Sequence, residues 1–164
     1  MDCEIEIRCL FVAAGHQFVG RHGKEPLTYV MEARETIECV AGKGIMGDRF
    51  FDYKPNYKGQ LTFFSEEVYL KLKRQLSVEM KSSAVFRRNV LVSGIDLNPL
   101  IGKRFGLGEV EFEGVEEASP CYWMDRAFGE GAAAALRGQG GLRVRILSDG
   151  KLSRGVQRLC VFDV

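Results

Sequence analysis

Apolar and polar residues alternate from the start of the chain. Ile5, Ile7, Cys9 and Phe11 are interleaved with Glu4, Glu6, Arg8 and Leu10, a period of two that predicts a half-buried strand. Residues 36–41, the stretch Gln60-Leu61-Thr62-Phe63-Phe64 and residues 86–92 predict further strands. In residues 102–116, Val110, Phe112 and Gly114 alternate with Glu109, Glu111 and Glu113, as a strand with one wet face requires. Leu142, Val144, Ile146 and Leu152 predict a last pair of strands around Asp149-Gly150, a hairpin signal, before Leu159, Val161 and Val164.

The period changes in two places. Ser65-Glu66-Glu67 is a helix start, because a serine hydroxyl can cap free N–H groups and two carboxylates suit the positive end of the dipole. Val68, Leu72 and Leu76 then form one apolar stripe, ending near Ser77. A short alanine-rich helix over residues 132–136 is stopped by Gly138, Gly140 and Gly141. Many short strands, about two helices and 19 glycines at the corners predict a mainly β fold, a closed or nearly closed barrel with helical decorations. A doubly wound sheet would need alternating helices, and the pattern has none.

Composition narrows the function more than the fold. The 164 residues suit a single domain over 1–164, with no repeat or linker. The 23 Lys+Arg against 22 Asp+Glu leave a net charge of +1, which gives no global field for nucleic acid or an anionic membrane. Neither is expected as a partner. The five cysteines, at 3, 9, 39, 121 and 160, include no CxxC pair, so zinc or disulfide spacing is missing. The acidic, alternating N-terminus does not read as a signal peptide, and no run approaches the ~20 apolar residues of a membrane span. A cytoplasmic location is expected.

Several residues could carry chemistry. Cys121 follows Pro120 beyond a strand, where the chain leaves the sheet. A thiolate there could bind a soft metal or carry a sulfane sulfur; on pattern alone, a small buried hydrophobe is the commoner fate of a free cysteine. In a strand over 86–92, Arg87 and Asn89 would share a face and clamp a phosphate while Arg88 points away. A surface pair with Glu66 or Glu67 explains these residues about as well. The turn from Gly44 to Arg49 could admit an anion to its backbone and to Arg49, with Asp48 holding the turn; an internal Asp48–Arg49 bridge is the structural alternative. Ser65 offers either an anion site at a helix start or an ordinary cap. Arg137-Gly138-Gln139-Gly140-Gly141-Leu142-Arg143 is a basic, glycine-rich loop without the Lys-Ser/Thr ending of a nucleotide-hydrolysing loop. His16 and His22 lack ligand-like neighbours and read as loop residues. No serine sits in a GxSxG elbow. Arg87, Asn89 and the Ser65 helix start are expected to converge on one cavity near Cys121.

Taken in order, these segments resemble the MOSC family, named for the C-terminal domain of molybdenum cofactor sulfurases. The resemblance rests on Gly44-Ile45-Met46-Gly47-Asp48-Arg49, Gln60-Leu61-Thr62 leading to Ser65, and Phe86-Arg87-Arg88-Asn89-Val90. It continues through Gly94-Ile95-Asp96-Leu97-Asn98, Gly102-Lys103-Arg104-Phe105, Pro120-Cys121-Tyr122-Trp123-Met124 and the loop from Arg137 to Arg143. It implies a barrel similar to the pyruvate kinase barrel domain and a pocket for a molybdenum–pterin cofactor. In related reductases of N-hydroxylated compounds, a cysteine at the position of Cys121 ligates molybdenum, and the Arg87 and Asn89 positions lie near cofactor phosphate and pterin. The implied roles are Cys121 as catalytic residue and metal ligand, with Arg49, Asp48, Ser65, Arg87, Arg88, Asn89, Arg137 and Arg143 lining the cofactor. The sulfurases' pyridoxal-phosphate domain has no counterpart here, and Gly155-Val156 replaces the usual Gly-Asp near the last strand.

The function expected is a module that holds molybdenum cofactor, or carries sulfur as a cysteine persulfide, for cofactor maturation. Its partner would be a sulfur donor such as a cysteine desulfurase. The alternatives are a molybdenum-dependent reductase of N-hydroxylated substrates with a separate electron-donor protein, and a non-catalytic oxyanion-binding module.

Overall fold

A computed structural model describes residues 1–15, 30–78 and 80–162; His16, His22, Val164 and most of the loop expected after Ala14 lie outside them. The strands are β1 (Asp2–Val12), β2 (Glu32–Arg34), β3 (Thr36–Val40), β4 (Gly44–Ile45), β5 (Leu61–Ser65), β6 (Val90–Ser93), β7 (Arg104–Leu107), β8 (Val110–Glu117), β9 (Leu142–Ile146), β10 (Gly150–Ser153) and β11 (Gly155–Phe162). The helices are α1 (Glu66–Leu76), α2 (Trp123–Ala127) and α3 (Ala132–Ala135), with 3-10 turns at Ser83–Phe86 and Asn98–Leu100.

Seven strands close a barrel in the order β11-β7-β8-β9-β5-β6-β1, with β1 paired back to β11 and β2 added beyond. Closure leaves the barrel without open edges, where stray strands could pair. A second sheet, β10-β3-β4, lies beside it. The alternation along β8 falls as its sequence predicts: Val110, Phe112 and Gly114 point inward, and the glutamates stay partly wet. Phe63, Phe105 and Phe112 fill the interior with ring centroids 5.3–6.0 Å apart.

The β5–β6 pair is parallel and is crossed by α1, the connection parallel neighbours need. It is buried on both faces, so its residues are apolar on both: Phe63, Val90 and Val92 face the barrel, while Phe64 and Leu91 face outward. Outside, α1, α2 and α3 cover that surface in a second core of Phe64, Tyr69, Leu72, Phe86, Leu91, Met124, Phe128 and Leu136. Helix α1 begins as expected: the Ser65 hydroxyl accepts from Val68 N–H at 3.2 Å. It ends at Ser77, whose left-handed backbone (φ 52°) turns its N–H back to the carbonyls of Arg74 and Lys73.

Two local expectations are corrected. Residues 86–92 are not one strand: a 3-10 turn ends at Arg87, whose φ of 59° breaks the extended backbone, and the strand begins at Val90. The pleat therefore does not decide where Arg87, Arg88 and Asn89 point. Asp149-Gly150 does not join a hairpin either. Strand β9 pairs with β5 and β8, whereas β10 leaves to pair with β3, and the Asp149 carboxylate accepts from Ala41 N–H at 2.8 Å.

Candidate functional site

Glycines bring the parts of the site together. In the loop before β9, a Cβ on Gly140 would stand 2.1 Å from the Ala118 carbonyl oxygen, and one on Gly141 would stand 2.4 Å from that of Phe63. Only glycine admits such an approach, so the loop lies directly on the segment leading from β8 to Cys121. Gly140 N–H donates to the Glu117 carboxylate at 2.9 Å, and Ala118 N–H to the Gly141 carbonyl at 2.9 Å.

Arg88 fastens this junction. Its Nε donates to the Gly140 carbonyl at 2.9 Å, Nη2 to that of Ala118 at 2.9 Å, and Nη1 to that of Phe86 at 3.1 Å. The fork thus ties three chain segments through their carbonyls. Burial, followed by repulsion from Arg143, pulls the Arg88 guanidinium down to about 10, and the Cys121 side chain is among the groups acting the other way. Arg88 lies within electrostatic reach of Cys121, rather than pointing away as a strand would have it.

Arg49 and Arg87 form the neighbouring part. Arg49 Nη2 donates to the Arg87 carbonyl at 3.0 Å, and Nη1 meets the Asp48 carboxylate at 3.3 Å and the Met31 sulfur at 3.4 Å. Asp48 also accepts from Ala13 N–H at 3.0 Å, so it is both the turn's internal bridge and its anchor to β1. The Arg49 side chain is only 6% exposed, and its Nε is buried without a hydrogen-bond partner. Arg87 donates to the Gly15 carbonyl at 2.8 Å. Burial, then the charge of Arg49, lowers Arg87 to about 10; burial also lowers Arg49, against Asp48. In both, the first cause is loss of solvent around the charged guanidinium.

Of the five cysteines, Cys121 is exposed, Cys3, Cys9 and Cys160 are partly buried and Cys39 is buried. Burial pushes Cys39 up to about 12 and raises Cys9, and a hydrogen bond with Asp2 raises Cys160. Cys121 sits just before α2, its carbonyl accepting from Met124 N–H at 3.0 Å. Trp123 and Met124 are buried behind it, and Trp123 Nε1 donates to the Val85 carbonyl at 3.3 Å. No group of three or more His, Cys, Asp or Glu residues suited to a metal ion occurs among the described residues.

The remaining sequence candidates lie differently. The Asn89 amide is committed to the fold: its oxygen accepts from Thr62 N–H at 3.0 Å and its nitrogen donates to the Phe11 carbonyl at 3.2 Å. Arg143 pairs with Glu116 at 3.3 Å, and Arg137 is exposed. Ser65 lines a cleft of about 580 Å³ with Glu67, Ile95, Asp96, Asn98 and Gln139. Neither Cys121 nor any of the arginines lines that cleft, so the expected single cavity is not formed there. The joining roles of Arg88 and Gly140 are signalled in the sequence only by the adjacent pairs Arg87-Arg88 and Gly140-Gly141.

A closed barrel bearing an exposed cysteine beside buried arginines defines the class, and comparison supplies the family. The MOSC domain model matches residues 52–157. The chain belongs to the MOSC domain family. No curated protein sequence matches it. Among solved structures, the YuaD protein from Bacillus subtilis is similar with a TM-score of 0.77 at 16% identity, covering 100% of this chain and 99% of that one. YiiM from Escherichia coli is similar with a TM-score of 0.66 at 18% identity, covering 100% of this chain and 71% of that one. YiiM from Geobacillus stearothermophilus gives 0.68 at 12%, covering 97% and 75%. No helix among the described residues is long and apolar enough to cross a membrane.

Proposed function

We propose that the protein holds a molybdenum cofactor, with Cys121 as its thiolate ligand and Arg49 and Arg87 as the seat of an anionic group on that cofactor. The carrying observation is the buried, unpartnered Nε of Arg49, beside a second arginine depressed by burial and like charge. An anion there would satisfy the bare donor and relieve the repulsion. The donor set fits as well. One exposed thiol is too little for a bare ion, but suits a metal arriving on a cofactor that supplies its other ligands. When bound, such a cofactor would supply redox or atom-transfer chemistry at molybdenum. The chain's own part is to present sulfur, bind the anion and, through Arg88, hold the cysteine segment against the glycine loop.

The exposure of Cys121 also favours a second reading, transfer of a persulfide sulfur to or from a donor protein such as a cysteine desulfurase. Molybdenum and sulfane sulfur measured after anaerobic purification separate the two. Stoichiometric molybdenum, lost in Cys121→Ser with the melting temperature unchanged, supports the first; sulfane sulfur on Cys121 without metal supports the second. If Cys121→Ser changes neither quantity, both readings are wrong.

A further inference from the structure

Next to the arginine cluster lies an aromatic shelf that this reading does not use. The ring centroids of Phe50 and Tyr53 are 5.6 Å apart, those of Phe50 and Tyr57 5.3 Å, and those of Tyr53 and Tyr57 4.9 Å. The loop that carries them turns through left-handed backbone at Asp52 (φ 55°) and Asn56 (φ 53°), residue types that tolerate it. At its inner end the Arg49 guanidinium stacks over Phe50, 4.7 Å from the centroid, and Tyr57 is within electrostatic reach of Arg49. At its outer end Tyr53 is 54% exposed. Lys54 Nζ hangs 5.8 Å from the Tyr53 centroid and 5.3 Å from that of Tyr57.

The charges around the shelf choose its ligand. Lys54 forms no ion pair among the described residues, and the Arg49 guanidinium over Phe50 adds positive charge at the inner end. A cationic ring would be repelled from both ends. An anionic aromatic ring would gain a π-face from Tyr53 and an opposite charge from the Lys54 ammonium. Tyrosine suits this use, as a large, rigid surface with little rotamer freedom to lose on binding. We propose that Phe50, Tyr53 and Tyr57 form a subsite for a planar aromatic ring bearing an anionic group, a ligand separate from the cofactor, stacked on the exposed Tyr53 with its anionic group toward Lys54.

The test is a saturation-transfer NMR titration of the purified protein with three probes: nicotinate, cyclohexanecarboxylate and benzamidine. Nicotinate should bind at least about tenfold more tightly than cyclohexanecarboxylate, which has the charge without the π-face, and than benzamidine, a planar cation. Tyr53→Ala should weaken nicotinate about tenfold, the scale of stacking on an aromatic side chain, and Tyr53→Phe should retain it. Lys54→Met should narrow the preference for nicotinate over benzamidine. Absence of nicotinate binding, equal binding of cyclohexanecarboxylate, or unchanged binding in Tyr53→Ala overturns the proposal. So does a Tyr53→Ala protein that loses molybdenum yet keeps nicotinate, since the ring would then belong to the cofactor's own site. Nicotinate binding is read without reference to the metal, so a wild type without molybdenum counts against the proposed function alone.

Discussion

Single side chains carry the sharpest expectations, because three cysteines are held as thiols and a fourth is in the open. Cys39 is buried and pushed up to about 12, and Cys9 and Cys160 are raised as well. Alkylation proceeds through the thiolate and needs access. Iodoacetamide at pH 8, followed by mass spectrometry, should therefore modify Cys121 first and leave Cys39 unmodified until the protein unfolds. Early labelling of Cys39 would contradict the barrel packing. Burial also gives Cys39 a pH signature. Its pKa is raised in the folded state, so the stability it contributes is complete below the unfolded value of 9.0 and is lost as pH rises toward about 12. The arginines divide by what they touch. Arg49→Lys keeps a charge but removes Nε, so it should weaken retention of an anionic cofactor by at least about tenfold, the lower end of one charge-assisted bond of ~1.5–3 kcal/mol. Arg88→Ala instead strips partners from three carbonyls and should lower stability by about 3 kcal/mol or more, at ~1–3 kcal/mol for each group left buried and unpaired. Thermal denaturation tells the two effects apart.

At the scale of elements, the glycine loop offers a matched pair of substitutions. Gly138 has φ +83° with nothing within 4 Å of a built Cβ, so Gly138→Ala carries only the left-handed strain, roughly 1–2 kcal/mol. Gly140→Ala would drive a methyl group into the Ala118 carbonyl and against Pro120, so the segment before Cys121 must move. It should cost about 1–3 kcal/mol of overpacking and change the rate of Cys121 alkylation, which Gly138→Ala should leave alone. Equal rates in the two variants would show that the loop does not position the cysteine. Much at this scale was legible in the sequence. Ser65 announced α1, and the alternation of Val110 and Phe112 with glutamates announced the inner and outer faces of β8. What failed were inferences about partners. Asp149-Gly150 has hairpin chemistry, but pairing depends on which strand lies alongside, and β3 is far off in the chain. Arg87-Arg88-Asn89 looked extended because apolar residues flank it, yet the turn at Arg87 goes with contacts of Arg87 to Gly15 and of Arg88 to Ala118 and Gly140, which are equally remote.

For the molecule as a whole, two cores divide the work of stability and of placing the site. The barrel interior is closed by the β1–β11 pairing. The outer core joins the two segments that matter for chemistry: Phe86, just before Arg87, packs on Phe128, just after α2, with centroids 4.8 Å apart, and Tyr69 of α1 lies against both at 6.2 Å. Cys121 therefore sits at the end of a helix whose position depends on the same rings that hold the arginine turn. Removing either ring costs roughly 3–5 kcal/mol in a packed core, but the effects should fall in different places. Phe112→Ala opens a cavity in the barrel and should lower hydrogen-exchange protection throughout, since strands closed in a ring open together. Phe128→Ala should loosen residues 83–89 and 122–136 by local opening, speed Cys121 alkylation and reduce molybdenum retention, while β7, β8 and β11 keep their protection. A Phe128→Ala protein whose barrel strands lose protection as fully as its helices would mean that the two cores unfold as one unit, and that the site has no stability separate from the barrel.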